Sequence, residues 1–110
     1  YGQQFQSRSD TARSVEYINI DLKELIPAFI HNTKEEIKRL KDAVDQNDWP
    51  TIERMGHSIK GSSYGYGFKC MGQIGRRIQA AARETHGRDR LPELISELVD
   101  YIENVQVVYE

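Results

Sequence analysis

The fold of this chain is decided by residues 48–67, which read Asp48-Trp-Pro-Thr-Ile-Glu-Arg-Met-Gly-His57-Ser-Ile-Lys-Gly-Ser-Ser-Tyr-Gly-Tyr-Gly67. The apolar side chains of this stretch recur every three or four residues, as on the buried face of an amphipathic helix: Ile52, Met55, Ile59 and Tyr66. Asp48 is placed to cap such a helix, and Pro50 falls in its first turn, where a missing N–H costs nothing. The pattern predicts a helix from about Trp49 towards Tyr66, ended by the glycines at 65 and 67.

Similar patterns precede and follow this stretch. The helix before it has these apolar positions: Leu22, Leu25, Ile26, Phe29, Ile37, Leu40 and Val44. Asp21 is its predicted N-cap, with Glu24 as the capping-box partner, and Pro27 should start or kink the helix. A third helix carries Met71, Ile74, Ile78 and Ala81 on one face and should stop near Gly87. A fourth carries Leu91, Leu94, Ile95, Leu98, Ile102 and Val105.

Four amphipathic helices joined by short connections predict an all-α fold, an antiparallel four-helix bundle with an additional short N-terminal segment or helix. No alternating pattern bounded by turns predicts a strand. The bundle should span residues 15–110, and residues 1–14, which are polar and poor in apolar side chains, should form an N-terminal extension.

Composition restricts the class of protein. The chain has 110 residues, of which 38% are hydrophobic and 29% charged, as expected of one small globular domain. Its single cysteine, Cys70, excludes an internal disulfide and a thiolate metal cluster. The longest apolar stretch, Leu25 to Ile30, is far too short to span a membrane, and no secretion signal opens the sequence. We therefore expect a cytoplasmic protein without membrane contact.

Charge is segregated along the chain. Residues 1–52 carry a net charge of −2, residues 53–90 carry +5, and residues 91–110 carry −5. The total of −2 argues against nucleic acid as the main partner. The basic middle segment is consistent either with solvated helix faces of opposite sign that pack together or with an acidic partner.

His57 lies on the opposite side of its helix from Met55 and Ile59, so it should project into solvent. Its neighbours on this face are Glu53, Arg54, Lys60, Gly61 and Tyr64. A glycine inside a helix costs about 0.8–1.0 kcal/mol relative to alanine, which demands a reason. Gly56 lies off the histidine face, where close helix packing explains it. Gly61 lies one turn after His57 on the solvent side, where it leaves room beside the imidazole, and Lys60 can bring a positive charge there.

A resemblance follows from these residues. The run His57-Ser-Ile-Lys60-Gly61-Ser62-Ser63, with Gly67 and the basic, alanine-rich helix from Ile74 to Arg83 after it, resembles the histidine phosphotransfer (HPt) domain of bacterial two-component phosphorelays. The upstream segment 21–29 and the break at residues 47–49 fit as well. The resemblance covers about residues 15–110.

The resemblance implies that His57 is a phosphoacceptor, which exchanges a phosphoryl group with the aspartate of a receiver domain in a response regulator or hybrid sensor kinase. It implies that Lys60 steadies the phosphoryl group and that Gly61 lets the receiver approach. Arg54 and Tyr64 share the histidine face and are predicted to contact the partner. The sequence departs from the family at Gly56, where alanine is common, and at Gln79, where many members have glutamate. We expect neither departure to touch the nucleophile.

The chemistry suits these residue types. A neutral imidazole carries a lone pair that can attack phosphorus, and phosphoryl transfer is catalysed mostly by positioning and electrostatics. The histidine face offers Glu53 alone as a carboxylate, too little to hold magnesium. We therefore predict no metal and no cofactor on this chain, magnesium in the receiver partner, and no ATP-dependent kinase activity of its own.

Other functions fit less well. The run from Gly56 to Ser62 imitates a phosphate-binding loop, but its lysine precedes the second glycine and no strand precedes the first. The histidines and Cys70 lack metal-ligand spacing. Arg76 and Arg77 with nearby tyrosines could touch RNA, against the net negative charge of the chain. The alternative of a different class is a non-catalytic helical adaptor or dimerisation bundle, in which His57 is incidental.

Overall fold

The computed structural model describes residues 14–110. The predicted N-terminal extension therefore lies, apart from Ser14, outside the described residues. The described elements follow one another in this order: β1 (Val15–Ile18), a 3-10 helix (Ile20–Leu25), α1 (Ile26–Asp45), α2 (Trp49–Tyr66), α3 (Lys69–Arg83), a second 3-10 helix (Thr85–Arg90), α4 (Leu91–Asn104) and β2 (Gln106–Tyr109).

The predicted ends of α2 are confirmed. The carboxylate of Asp48 accepts hydrogen bonds from the backbone N–H of Thr51 at 3.4 Å and from its hydroxyl at 2.7 Å. Pro50 lies in the first turn of the helix. Gly67 follows the last turn with φ +95°, a left-handed conformation that glycine adopts at no steric cost. Local sequence therefore fixes where the central helix begins and ends.

The start of α1 differs from the prediction. Asp21 does not cap it, because Ile20–Leu25 forms a 3-10 helix whose cap is Asn19, with a side-chain oxygen 2.8 Å from the Asp21 backbone nitrogen. The α-helix proper starts at Ile26, with Pro27 in its first turn. A proline there lacks only an N–H that would have no partner in the helix, so the predicted start at Pro27 holds.

The helices pack as a four-helix bundle around one apolar core. Its largest fully buried side chains, including Phe68, Leu40, Leu98 and Tyr101, come from all four helices, β1 and the turn before α3. Phe29 of α1 stacks on the rings of Tyr66 and Phe68, with centroid distances of 4.4 and 5.3 Å. Tyr66 is only half-buried, so it borders the core rather than lying inside it. Over residues 14–110, no helix combines the length and the apolar character that crossing a membrane requires.

The sequence predicts no strands, and this prediction is wrong. β1 and β2 form a two-stranded parallel sheet in which Val15 pairs with Gln106 and Ile18 with Tyr109. Both strands are four residues long, too short for their alternation to stand out. Their pairing brings together the two ends of the described chain, which all four helices separate in sequence. It therefore depends on the tertiary packing of the bundle.

A buried carboxylate fastens β1 to the bundle. Glu16 is 5% exposed and accepts hydrogen bonds from the Tyr101 hydroxyl of α4 at 2.7 Å and from the Cys70 backbone N–H of α3 at 2.9 Å. Burial, followed by the hydrogen bond to Glu16, holds the pKa of Tyr101 far above its usual range. The segment before α1 is thereby tied to α3 and α4 at a single side chain.

Candidate functional site

Two glycines let α2 and α3 approach each other to backbone contact. A Cβ atom added at Gly56 would lie 2.7 Å from the backbone nitrogen of Gln79 and 3.0 Å from the carbonyl oxygen of Gly75. A Cβ added at Gly75 would lie 2.8 Å from the backbone nitrogen of Lys60. These distances are too short for any side chain, so the explanation of Gly56 by close helix packing is confirmed.

We call this line of contact between α2 and α3 the glycine seam. The contacts along the seam run in opposite directions on the two helices. Glu53 of α2 pairs with Arg83 of α3. One turn further along α2, His57 meets Gln79, which lies one turn earlier on α3. Two turns further still, the ring of Tyr64 covers Gly72, where an added Cβ would lie 2.5 Å from its Cε1. Each step forward on α2 matches an equal step back on α3, so the two helices are antiparallel.

The imidazole of His57 is exposed at this seam, as predicted. The side-chain nitrogen of Gln79 lies 3.4 Å from its Nδ1. The expectation that Gln79 does not touch this histidine is therefore wrong. The sequence gives no signal for this contact. The contact depends on the register of α2 against α3, and its two residues are 22 positions apart in the chain. No described residue forms a hydrogen bond with Nε2, the other ring nitrogen.

Gly61 leaves an opening one turn after His57. It is exposed, and a Cβ added there would meet nothing within 4 Å. This glycine therefore has no packing role of the kind that Gly56 has. Lys60, beside it, is half-buried rather than fully exposed, because its backbone contacts the glycine seam of α3. Ser62 donates a hydrogen bond to the carbonyl oxygen of Ser58 at 2.9 Å, a purely helical contact.

The remaining predicted residues lie on the same face. Arg54 is exposed and forms no ion pair with another described residue. Tyr64 is 45% exposed, although one side of its ring rests on Gly72. A large aromatic side chain held in place by a glycine, with its other side in solvent, is suited to contact a partner protein. The structure thus arranges Arg54, His57, Lys60, Gly61 and Tyr64 along one side of α2.

The face formed by α2 and α3 is basic. Together the two helices carry one acidic residue, Glu53, and these six basic ones: Arg54, Lys60, Lys69, Arg76, Arg77 and Arg83. Arg83 is neutralised by Glu53, and Arg77 forms an ion pair with Glu97 of α4 at 2.8 Å. Packing of oppositely charged faces therefore accounts for part of the basic segment. The other four cations have no ion-pair partner among residues 14–110.

Among residues 14–110, no three His, Cys, Asp or Glu side chains form a group that could hold a metal ion. The family model described as the Hpt domain matches residues 24–107, a range that includes all four helices and the whole basic face. No curated protein and no solved structure matches the chain significantly.

Proposed function

The chain belongs to the Hpt domain family, whose members carry phosphoryl groups in phosphorelays, and we propose that His57 is its phosphoacceptor. One observation supports this assignment above the others. His57 is an exposed histidine whose Nδ1 faces Gln79 and whose Nε2 is open to solvent beside Gly61. The other two histidines, His31 and His86, are exposed as well, but neither combines a lysine three residues on with a glycine four residues on: Lys34 and Glu35 follow His31, and Asp89 and Arg90 follow His86.

Nε2 is the proposed reacting nitrogen. Its lone pair attacks the phosphorus of an aspartyl phosphate on the receiver; an N–P bond forms, and the P–O bond to the aspartate breaks, so that the carboxylate leaves with the electron pair. For Nε2 to carry the lone pair, Nδ1 must hold the proton. The Gln79 amide oxygen can accept a hydrogen bond from Nδ1–H after a rotation of the amide by 180°, since an amide offers a donor on one side and an acceptor on the other. Transfer in the opposite direction reverses each step.

Lys60 is the proposed electrostatic aid to this reaction. The transition state of phosphoryl transfer is loose and spreads negative charge over the equatorial oxygens, which a nearby ammonium stabilises. Gly61 would admit the receiver to the imidazole, because no side chain stands between them. Arg54 and Tyr64, at the two ends of the face, would contact the receiver surface.

The receiver is the proposed source of the magnesium ion. Phosphoryl transfer commonly uses a divalent cation held by clustered carboxylates, and the histidine face of this chain offers only Glu53, which is occupied by Arg83. A basic face around the histidine suits a partner whose active site is rich in carboxylates. We also propose that the chain transfers phosphoryl groups without taking them from ATP, as carriers of this family do.

Labelling from a phosphorylated receiver tests the assignment of His57. The parent should acquire a phosphoryl group that is lost in acid, because its N–P bond is acid-labile, whereas His57→Gln should acquire none. His31→Gln and His86→Gln are matched controls that should label like the parent, because both side chains are exposed on other elements. Label on His57→Gln would refute the assignment. Loss of label in all variants and in the parent would favour a non-catalytic helical adaptor instead. Incubation of the pure protein with labelled ATP should give no product.

A further inference from the structure

Arg76 lies at the level of the opening beside His57. On α3 it stands between Gly72, which is covered by the Tyr64 ring, and Gln79, which meets His57. Its neighbour Gly75 touches the backbone of Lys60. In the antiparallel register of the two helices, Arg76 therefore stands opposite Lys60.

The direction of the Arg76 side chain follows from helix geometry. At 100° per residue, Arg76 points within about 60° of Gln79 and within about 40° of Gly72. Both of these residues face α2, where Gln79 meets the exposed His57 and the buried Gly72 lies under the ring of Tyr64, which is 45% exposed. Arg76 is itself exposed. Helix geometry therefore directs its side chain to the solvent side of the contact with α2, towards the opening beside Lys60.

Charge distinguishes Arg76 from the other arginines of α3. Arg77 pairs with Glu97 and Arg83 pairs with Glu53, whereas Arg76 has no ion-pair partner among the described residues. No acidic side chain of α2 or α3 remains to neutralise it, because Glu53 is the only one. Two cations that have no ion-pair partner within residues 14–110 thus flank an opening next to His57, an arrangement that favours an anion between them.

From this arrangement we propose that Arg76 is a second phosphoryl-binding residue, which holds the phosphoryl group on Nε2 of His57 together with Lys60. The proposal rests on the proposed role of His57. A phosphoryl group carries close to two negative charges and three acceptor oxygens, and the planar fork of a guanidinium donates to two such oxygens at once. Arg76 forms no covalent bond and gives up no proton in this role.

The ionisation of the phosphoryl group reports on the cations beside it. A neighbouring cation favours the dianion, so loss of Arg76 should raise the pKa of the phosphoryl group on His57 by about 0.2–0.7. The pKa can be measured from the ³¹P chemical shift as a function of pH, after labelling with phosphoramidate, a small donor that needs no receiver. Labelling itself should slow about two- to fivefold in Arg76→Gln, because less transition-state charge is stabilised.

Arg77→Gln is the matched control, since it removes the same charge from the neighbouring position, about 100° further round α3, where the side chain pairs with Glu97 of α4. It should leave both the phosphoryl pKa and the labelling rate at parental values. Arg76→Lys keeps the charge without the fork and should recover part of the pKa difference. A structural effect of the substitution would appear in the thermal melt and not in the phosphoryl pKa.

Two outcomes would overturn the proposal while leaving the role of His57 intact. In the first, Arg76→Gln has the parental pKa and the parental rate with phosphoramidate. In the second, it is slowed only with a phosphorylated receiver, which would make Arg76 a contact for the partner's surface. If the parent itself takes no label on His57, the proposed function fails first, and the labelling of the parent alone reveals it.

Discussion

Replacement of Gly61 by alanine should stabilise the protein and impair its exchange with the receiver. Gly61 lies inside α2 and does not have a positive φ, so alanine can adopt its backbone conformation. A Cβ atom added at Gly61 meets nothing within 4 Å, so the new methyl group clashes with no neighbouring atom. Alanine in a helix interior is favoured over glycine, partly through a less flexible unfolded chain, by about 0.5–1 kcal/mol.

The magnitude can be checked against Gly56→Ala on the same helix. That substitution brings the same gain in helix propensity, but its Cβ would lie 2.7 Å from the backbone nitrogen of Gln79. Backbone cannot move aside as the end of a flexible side chain can, so overpacking of this kind costs about 1–3 kcal/mol. Gly61→Ala should therefore raise the melting temperature by about 2–8 °C, and Gly56→Ala should lower it.

The functional assay uses two phosphoryl donors of different size. The methyl group of Gly61→Ala, and more so the side chain of Gly61→Gln, would occupy the space through which a receiver must bring its aspartate to His57. Transfer from a phosphorylated receiver should therefore slow in both variants, more strongly in Gly61→Gln. Labelling by phosphoramidate should suffer less, because this donor needs far less room than a protein domain.

A thermal melt and the two labelling rates decide the matter. If Gly61→Ala is less stable than the parent and exchanges normally with the receiver, the glycine serves packing and the reasoning is refuted. If both donors are slowed equally, the substitution disturbs His57 itself rather than access to it.

Three further predictions concern single side chains. Lys60→Ala should slow transfer from a phosphorylated receiver while changing the free energy of unfolding by no more than about 0.5 kcal/mol in a urea titration; parental rates would remove Lys60 from the mechanism. Tyr101→Phe removes a donor from the buried carboxylate of Glu16 and should cost about 1.5–3 kcal/mol in the same titration. Folding raises the pKa of Tyr101, so its protonated form stabilises the fold at neutral pH. This contribution should decline as the pH rises above 10.0, the ordinary pKa of a tyrosine. If the stability of the parent and that of Tyr101→Phe depend on alkaline pH in the same way, this prediction is contradicted. Burial, with the nearby Glu16 charge as the second cause, raises the pKa of Cys70, so iodoacetamide should react with it more slowly at pH 8 than with a cysteine peptide; equal rates would show that the thiol is not shielded.

Local sequence patterns are sufficient to predict the helical part of this protein. The spacing of Ile52, Met55 and Ile59 identifies the buried face of α2 and, by exclusion, the exposed side that carries His57 and Gly61. Asp48 and Gly67 mark the helix ends. All of these depend on a 3.6-residue period and on capping groups within a few residues, so they can be inferred without knowledge of any other part of the chain.

Contacts between side chains of different helices depend on how the helices pack and cannot be predicted from local patterns. The register of α2 against α3 brings Gln79 to His57 and Glu53 to Arg83. It leaves Arg76 without an ion-pair partner among the residues that the structure describes. That register is set by the close approach of Gly56 to Gly75; the helical pattern indicates close packing at Gly56 but not the residue of α3 that packs there. The pairing of β1 with β2 was missed for the same reason: strands of four residues have little preference of their own, and these form because the closed bundle brings the two segments together.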